Sequence, residues 1–105
     1  MELKHLNVEE FDELLKSGKP AMIDFFAVWC GPCKMLTPLV EDLAARYDGR
    51  VTVAKVDVDE QRELAIRYRV MSVPTVLFLK DGKEVGRKVG VQAPETYLEA
   101  LDGLL

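Results

Sequence analysis

A chain of 105 residues suits one domain spanning 1–105, and its 49% hydrophobic and 30% charged residues supply a core and a solvated surface, which excludes disorder. Fourteen basic residues against eighteen acidic ones leave a net charge of −4 with no basic cluster, which argues against nucleic acid as a partner. Residues 1–6 hold no apolar signal core, and no stretch approaches the roughly 20 apolar residues of a membrane span, so a cytoplasmic protein away from the membrane is expected.

Leu3 to Leu6 reads as a short edge strand. Asn7 is placed to cap a helix beginning Val8-Glu9-Glu10-Phe11, with Glu10 in the capping-box position. Gly18 and Pro20 stop that helix. Ala21 to Val28 is a bulky apolar run, predicted to be a strand buried on both faces, with Asp24 as its one charged residue. Trp29-Cys30-Gly31-Pro32-Cys33 follows, and then Leu36, Leu39, Val40, Leu43 and Tyr47 recur at helical spacing. Pro32 fits the first turn, where its missing N–H costs nothing, and Pro38 should kink the helix rather than end it. Val51 to Val58 is rich in β-branched residues and predicts a strand, with Lys55 in its middle. Asp59 is placed to cap a helix running to about Tyr68. Val73 to Leu79 predicts a strand with Pro74 near its start. Asp81-Gly82 signals a hairpin turn into Glu84 to Val89, which Gly90 ends. Pro94 suits the first turn of a last helix ending near Leu104. The order β-α-β-α-β-α-β-β-α predicts an α/β protein: a mixed sheet of about five strands with four helices on its two faces.

The chemistry concentrates at Cys30 and Cys33, the only cysteines of the chain. Two intervening residues let one sulfur reach the other across a single turn. In a reducing cytosol a lone pair is catalytic or metal-binding more often than a structural staple. Structural zinc wants four Cys or His ligands, whereas only His5 could join this pair, so no metal is expected. Cys30 stands where strand becomes helix, so its sulfur can be exposed and its thiolate favoured by free N–H groups and the helix dipole. That makes it the candidate attacking nucleophile. Cys33 lies one turn inside, is expected to be more buried, and is the candidate resolving thiol. Asp24, if buried, should have a raised pKa. An ion pair with Lys55 is the structural alternative for both residues.

These residues resemble the thioredoxin family over essentially the whole chain. The likeness rests on Ile23-Asp24-Phe25, Trp29-Cys30-Gly31-Pro32-Cys33-Lys34-Met35, Lys55-Val56-Asp57, Val73-Pro74-Thr75, Asp81-Gly82 and Val89-Gly90. A C-x-x-C beside a βαβ pattern is the family's redox signature. The resemblance implies the thioredoxin fold, Pro74 in the cis form, and reversible reduction of disulfides in target proteins. It implies a redox-active Cys30–Cys33 pair with no bound cofactor, recharged by a thioredoxin reductase with electrons from NADPH. It makes Asp24 the acid/base for Cys33, gives Lys55 a supporting role, and lays Trp29, Gly31, Pro32, Val73, Pro74, Gly90 and Val91 along a shallow substrate groove. A monomer is expected. Phe26 departs from the pattern, since many relatives carry tryptophan there, but an aromatic is kept. Met71-Ser72 lies in a variable stretch and leaves substrate preference open. A partner-binding subunit with incidental thiols is the competing class. A disulfide oxidase fits less well, because oxidising relatives usually place a histidine where this chain has Gly31-Pro32.

Overall fold

The computed structural model describes residues 3–105. Its elements run β1 (Lys4–His5), α1 (Val8–Ser17), β2 (Ala21–Phe26), α2 (Gly31–Arg46), β3 (Thr52–Asp57), α3 (Arg62–Arg67), β4 (Thr75–Lys80), β5 (Lys83–Val89) and α4 (Pro94–Asp102). The strands form one mixed sheet in the order β1-β3-β2-β4-β5. β2 is central, parallel to β3 and antiparallel to β4.

Central placement explains why β2 reads as an apolar run broken only by Asp24. All six of its residues are buried, and alternate side chains serve opposite layers. Ala21, Ile23 and Phe25 join Ala54, Val56, Leu77 and Leu79 against Phe11 of α1 and Leu64 of α3. Met22 joins Val76 and Phe78 against Leu36, Val40 and Leu43 of α2 and Tyr97 and Leu101 of α4. Full burial of one such side chain contributes roughly 1.5–3 kcal/mol. By the same alternation Asp24 faces the α2 and α4 layer.

Local chemistry sets the element ends. The Asn7 side chain accepts from the Glu10 amide at 2.8 Å, and Glu10 accepts from the Asn7 amide at 3.1 Å, completing the capping box. Gly18 ends α1 with φ 68°. Pro38 lies inside α2, which continues through it to Arg46. The β4–β5 turn pairs Lys80 with Lys83 around Asp81 and Gly82, with φ 55° and 77°. Both central residues of this tight hairpin turn need positive φ. A Cβ at Gly82 would also stand 3.0 Å from the Leu15 carbonyl oxygen. Gly82→Ala is therefore expected to cost about 1–2 kcal/mol, read as a lower urea midpoint with unchanged slope.

Several boundaries differ from the sequence expectation. β1 is only two residues long, and Leu6 instead donates its amide to the Lys55 carbonyl at 2.9 Å. β2 stops at Phe26, because the Cys30 amide turns back to the Ala27 carbonyl at 3.2 Å. β4 begins at Thr75 rather than Val73, and α4 ends at Asp102. Asp59 does not cap α3. That helix starts at Arg62, and its N-cap Gln61 makes no side-chain cap bond. The Asp57 carboxylate organises the preceding turn instead, accepting from the amides of Asp59 at 2.9 Å and Glu60 at 3.3 Å.

Candidate active site

The end of β2 and the start of α2 bring the two cysteines together. Cys30 is the N-cap of α2 in extended conformation, and its sulfur lies 3.1 Å from the Cys33 amide nitrogen. The two are joined in a disulfide with their Cα atoms 5.3 Å apart. Both are buried, at 4% and 2% exposure, so an exposed Cys30 sulfur does not describe this oxidised state. Phe26, Ala27, Val58 and Val73 pack around the pair and cover it. What separates the two sulfurs is direction. Cys30 Sγ lies 3.7 Å from the Val73 carbonyl oxygen. Cys33 lines a cleft of about 220 Å³ with Phe26, Ala27, Val28, Lys34, Thr37 and Lys55.

Three chain segments form the rim. Trp29 is 69% exposed, and its indole N–H donates to Asp59 Oδ2 at 2.8 Å. Gly31 and Pro32 are exposed on the first turn of α2. Val73 is half-buried and Pro74 buried, and the peptide bond between them is cis. The Gly90 amide donates to the Pro74 carbonyl at 2.8 Å, which brings the exposed Val91 to the same edge. Gly90 has φ 77°, and a Cβ there would meet open space, so backbone conformation is the constraint that selects glycine. The Tyr97 hydroxyl accepts from the Gln92 amide at 3.0 Å and ties this loop to α4.

Asp24 of β2 and Lys55 of β3 are register partners on adjacent strands. Asp24 is fully buried, and among the described residues neither carboxylate oxygen has a hydrogen-bond partner. Burial pushes its pKa up to about 6, against the opposing pull of the Lys55 charge. The hydrogen-bonded ion pair considered for these residues is therefore not formed. The Lys55 ammonium instead sits 4.2 Å from the Phe26 ring centre and 3.2 Å from Thr37 Oγ1. Phe26 also meets the His5 ring edge-on at 5.2 Å, so the retained aromatic is packed on two sides.

Sequence reasoning did not place Thr37, Asp59 or Tyr97 at the site, and read Asp59 only as a helix cap. Thr37 follows Cys33 by four residues, on the same helix face, and that spacing was a usable signal. Asp59 and Tyr97 reach the site through tertiary contacts that no local pattern marks.

Residues 2–102 match the family model described as Thioredoxin. The chain belongs to the thioredoxin family. It is 47% identical to thioredoxin of Staphylococcus epidermidis over 93 residues, covering 89% of this chain and 88% of that one. Thioredoxin of Staphylococcus aureus matches at the same identity and coverage. Among solved structures, oxidised mitochondrial thioredoxin 3 of Saccharomyces cerevisiae superposes with a TM-score of 0.89 at 36% identity, covering 97% of this chain and 95% of that one. Family membership and the helix-capping cysteine pair make this a protein-disulfide oxidoreductase with the thioredoxin fold. Among the described residues, no three His, Cys, Asp or Glu side chains converge as metal ligands, and no helix is long and apolar enough to cross a membrane.

Proposed function

We propose that the protein is a general reductant of disulfides in other proteins. The observation that carries this reading is the Cys30–Cys33 disulfide at the N-terminus of a 16-residue helix, its Cys30 sulfur 3.7 Å from the Val73 carbonyl. In the reduced protein the Cys30 thiolate attacks one sulfur of a target disulfide. A mixed disulfide forms and the first target thiolate leaves, taking a proton from water. Cys33 then attacks Cys30 Sγ, its proton passing to the Asp24 carboxylate. The Cys30–Cys33 bond forms, the mixed disulfide breaks, and the second target sulfur departs as a thiolate that takes a proton from water, while Asp24 later returns its proton to solvent. Two electrons have moved from the protein to the target.

The Cys33 amide and the dipole of α2 favour the Cys30 thiolate over the thiol. Lys55 supports the charge on Asp24 electrostatically. An extended target segment lies across Trp29, Gly31, Pro32, Gly90 and Val91, and pairs with the backbone of Val73 beside Pro74. A thioredoxin reductase returns the electrons from NADPH, and the protein works as a cytoplasmic, single-domain monomer with no bound cofactor.

Alkylation of the reduced protein at neutral pH tests the division of labour. Peptide mapping is expected to find Cys30 labelled well before Cys33. Preferential labelling of Cys33 would exchange the roles of nucleophile and resolver.

A further inference from the structure

Lys55 is nearly buried, yet among the described residues the one hydrogen-bonding contact of its ammonium is the hydroxyl of Thr37, at 3.2 Å. That hydroxyl is oriented. It donates its single proton to the Cys33 carbonyl oxygen at 3.1 Å, which leaves its lone pairs for the ammonium. The Phe26 ring lies on another side of the ammonium, 4.2 Å away. The head group is thus stationed in the cleft beside Cys33, while the Asp24 carboxylate on the neighbouring strand is left without a partner.

We propose that Thr37 is a positioning residue: its hydroxyl, set by the Cys33 carbonyl, holds the Lys55 ammonium beside Cys33 and out of contact with Asp24. The bearing on catalysis rests on Asp24 acting as proton acceptor for Cys33. An ammonium in direct contact would hold Asp24 ionised and make it a poor base. One held nearby supports the charge without quenching it.

The other charged and titratable groups around this pair are few. His5 of β1 is the register partner of Lys55 and packs on the Phe26 edge. On β3, Asp57 is committed to the amides of Asp59 and Glu60. α2 contributes Cys33 and Lys34 to the cleft. Outside the cleft, the Tyr97 phenol of α4 is held above its usual range by burial, opposed by its hydrogen bond with the Gln92 amide and aided by the Asp24 charge. None of them makes a hydrogen bond to Asp24, so Lys55 is the cation placed to close on it when the hydroxyl is removed.

The test is the titration of the Asp24 carboxyl in the oxidised protein, followed by carbon-13 NMR, where the disulfide keeps both cysteines from titrating. Thr37→Val is expected to lower the Asp24 midpoint by about one pH unit, as an opposite charge moving into contact does. Thr37→Ala should do the same if valine disturbs packing, and Thr37→Ser should restore the parent midpoint. In a Lys55→Met background, Thr37→Val should move the midpoint by no more than about 0.3 pH unit. An unchanged or raised midpoint in both Thr37→Val and Thr37→Ala overturns the proposal, as does an equal fall without Lys55. In the reduced protein, the pH dependence of mixed-disulfide resolution should move down with the carboxyl. A moved carboxyl with an unmoved rate profile would support the positioning role while removing Asp24 from the proton transfer.

Discussion

Cys33→Ser is expected to turn the protein from a recycling reductant into a covalent trap. Cys30 remains at the N-cap of α2, so attack on a target disulfide should proceed at close to the parental rate. The mixed disulfide then has no internal thiol to resolve it. Well-oriented intramolecular groups act at effective concentrations far above those of millimolar thiols in solution, so turnover should fall by about 10³-fold or more. Serine matches cysteine closely in shape, and Cys33 keeps its amide contact to Cys30 Sγ through the backbone, so the helix start should survive. A one-to-one adduct should accumulate with a disulfide-bonded target, visible as a mass shift that an added dithiol reverses. Cys30→Ser should abolish both turnover and adduct. Parental turnover by Cys33→Ser, or a stable adduct on Cys33 in Cys30→Ser, would overturn the assignment. Partner binding retained by Cys30→Ser/Cys33→Ser without any redox function would favour the binding-subunit class.

Element type and order were legible in the sequence because the pattern of each segment agrees with its burial. β2 reads as an apolar run broken only by Asp24 and lies central in the sheet, covered on both faces. Asn7 with Glu10, and Asp81 with Gly82, are short-range signals that depend on no distant residue, and both formed as read. The α3 cap failed for an equally physical reason. Asp57 and Asp59 compete for the same turn, and Asp57 takes the free amides while the Asp59 carboxylate is drawn to the Trp29 indole. A local rule cannot rank two carboxylates when a residue thirty positions away decides between them.

The site divides the same way. Cys30 and Cys33 announce themselves by type and spacing, and Asp24 by being charged in an apolar strand. The sequence put Asp24 and Lys55 each inside an apolar strand and raised the pairing of the two. It could not say whether they touch. That depends on Thr37 and Phe26, which offer the ammonium an alternative to the carboxylate. The exposed-nucleophile expectation for Cys30 followed from its helix-start position. The cover comes from Phe26 at the end of β2 and from Val73 in the loop before β4, and the second of these became visible only with the chain folded.

Asp24→Asn is expected to stabilise the protein at neutral pH and to erase a pH dependence that the parent displays. The folded pKa of Asp24 is raised to about 6 from an ordinary value of 3.8, chiefly by burial. Between those values the native state binds more protons than the unfolded state, so unfolding free energy falls as pH rises through the window. The contribution is fully present below the unfolded pKa, is lost as pH rises through the folded one, and stays lost above it. The gap between 3.8 and about 6 corresponds to roughly 3 kcal/mol. Asparagine keeps the shape and carries no charge to desolvate. Its amide is still a buried polar group without a partner, as is the protonated acid, so that cost largely cancels near pH 4. The variant should therefore match the parent near pH 4 and exceed it by about 3 kcal/mol near pH 8 in urea titrations, where a matching slope would keep the comparison two-state. It should also resolve mixed disulfides more slowly at neutral pH, because an amide cannot take the proton of Cys33. A variant less stable than the parent near pH 8 would mean that the Asp24 charge is stabilised in the fold, with Lys55 outweighing burial. Normal resolving kinetics alongside raised stability would leave Asp24 as a buried acid with no part in the chemistry.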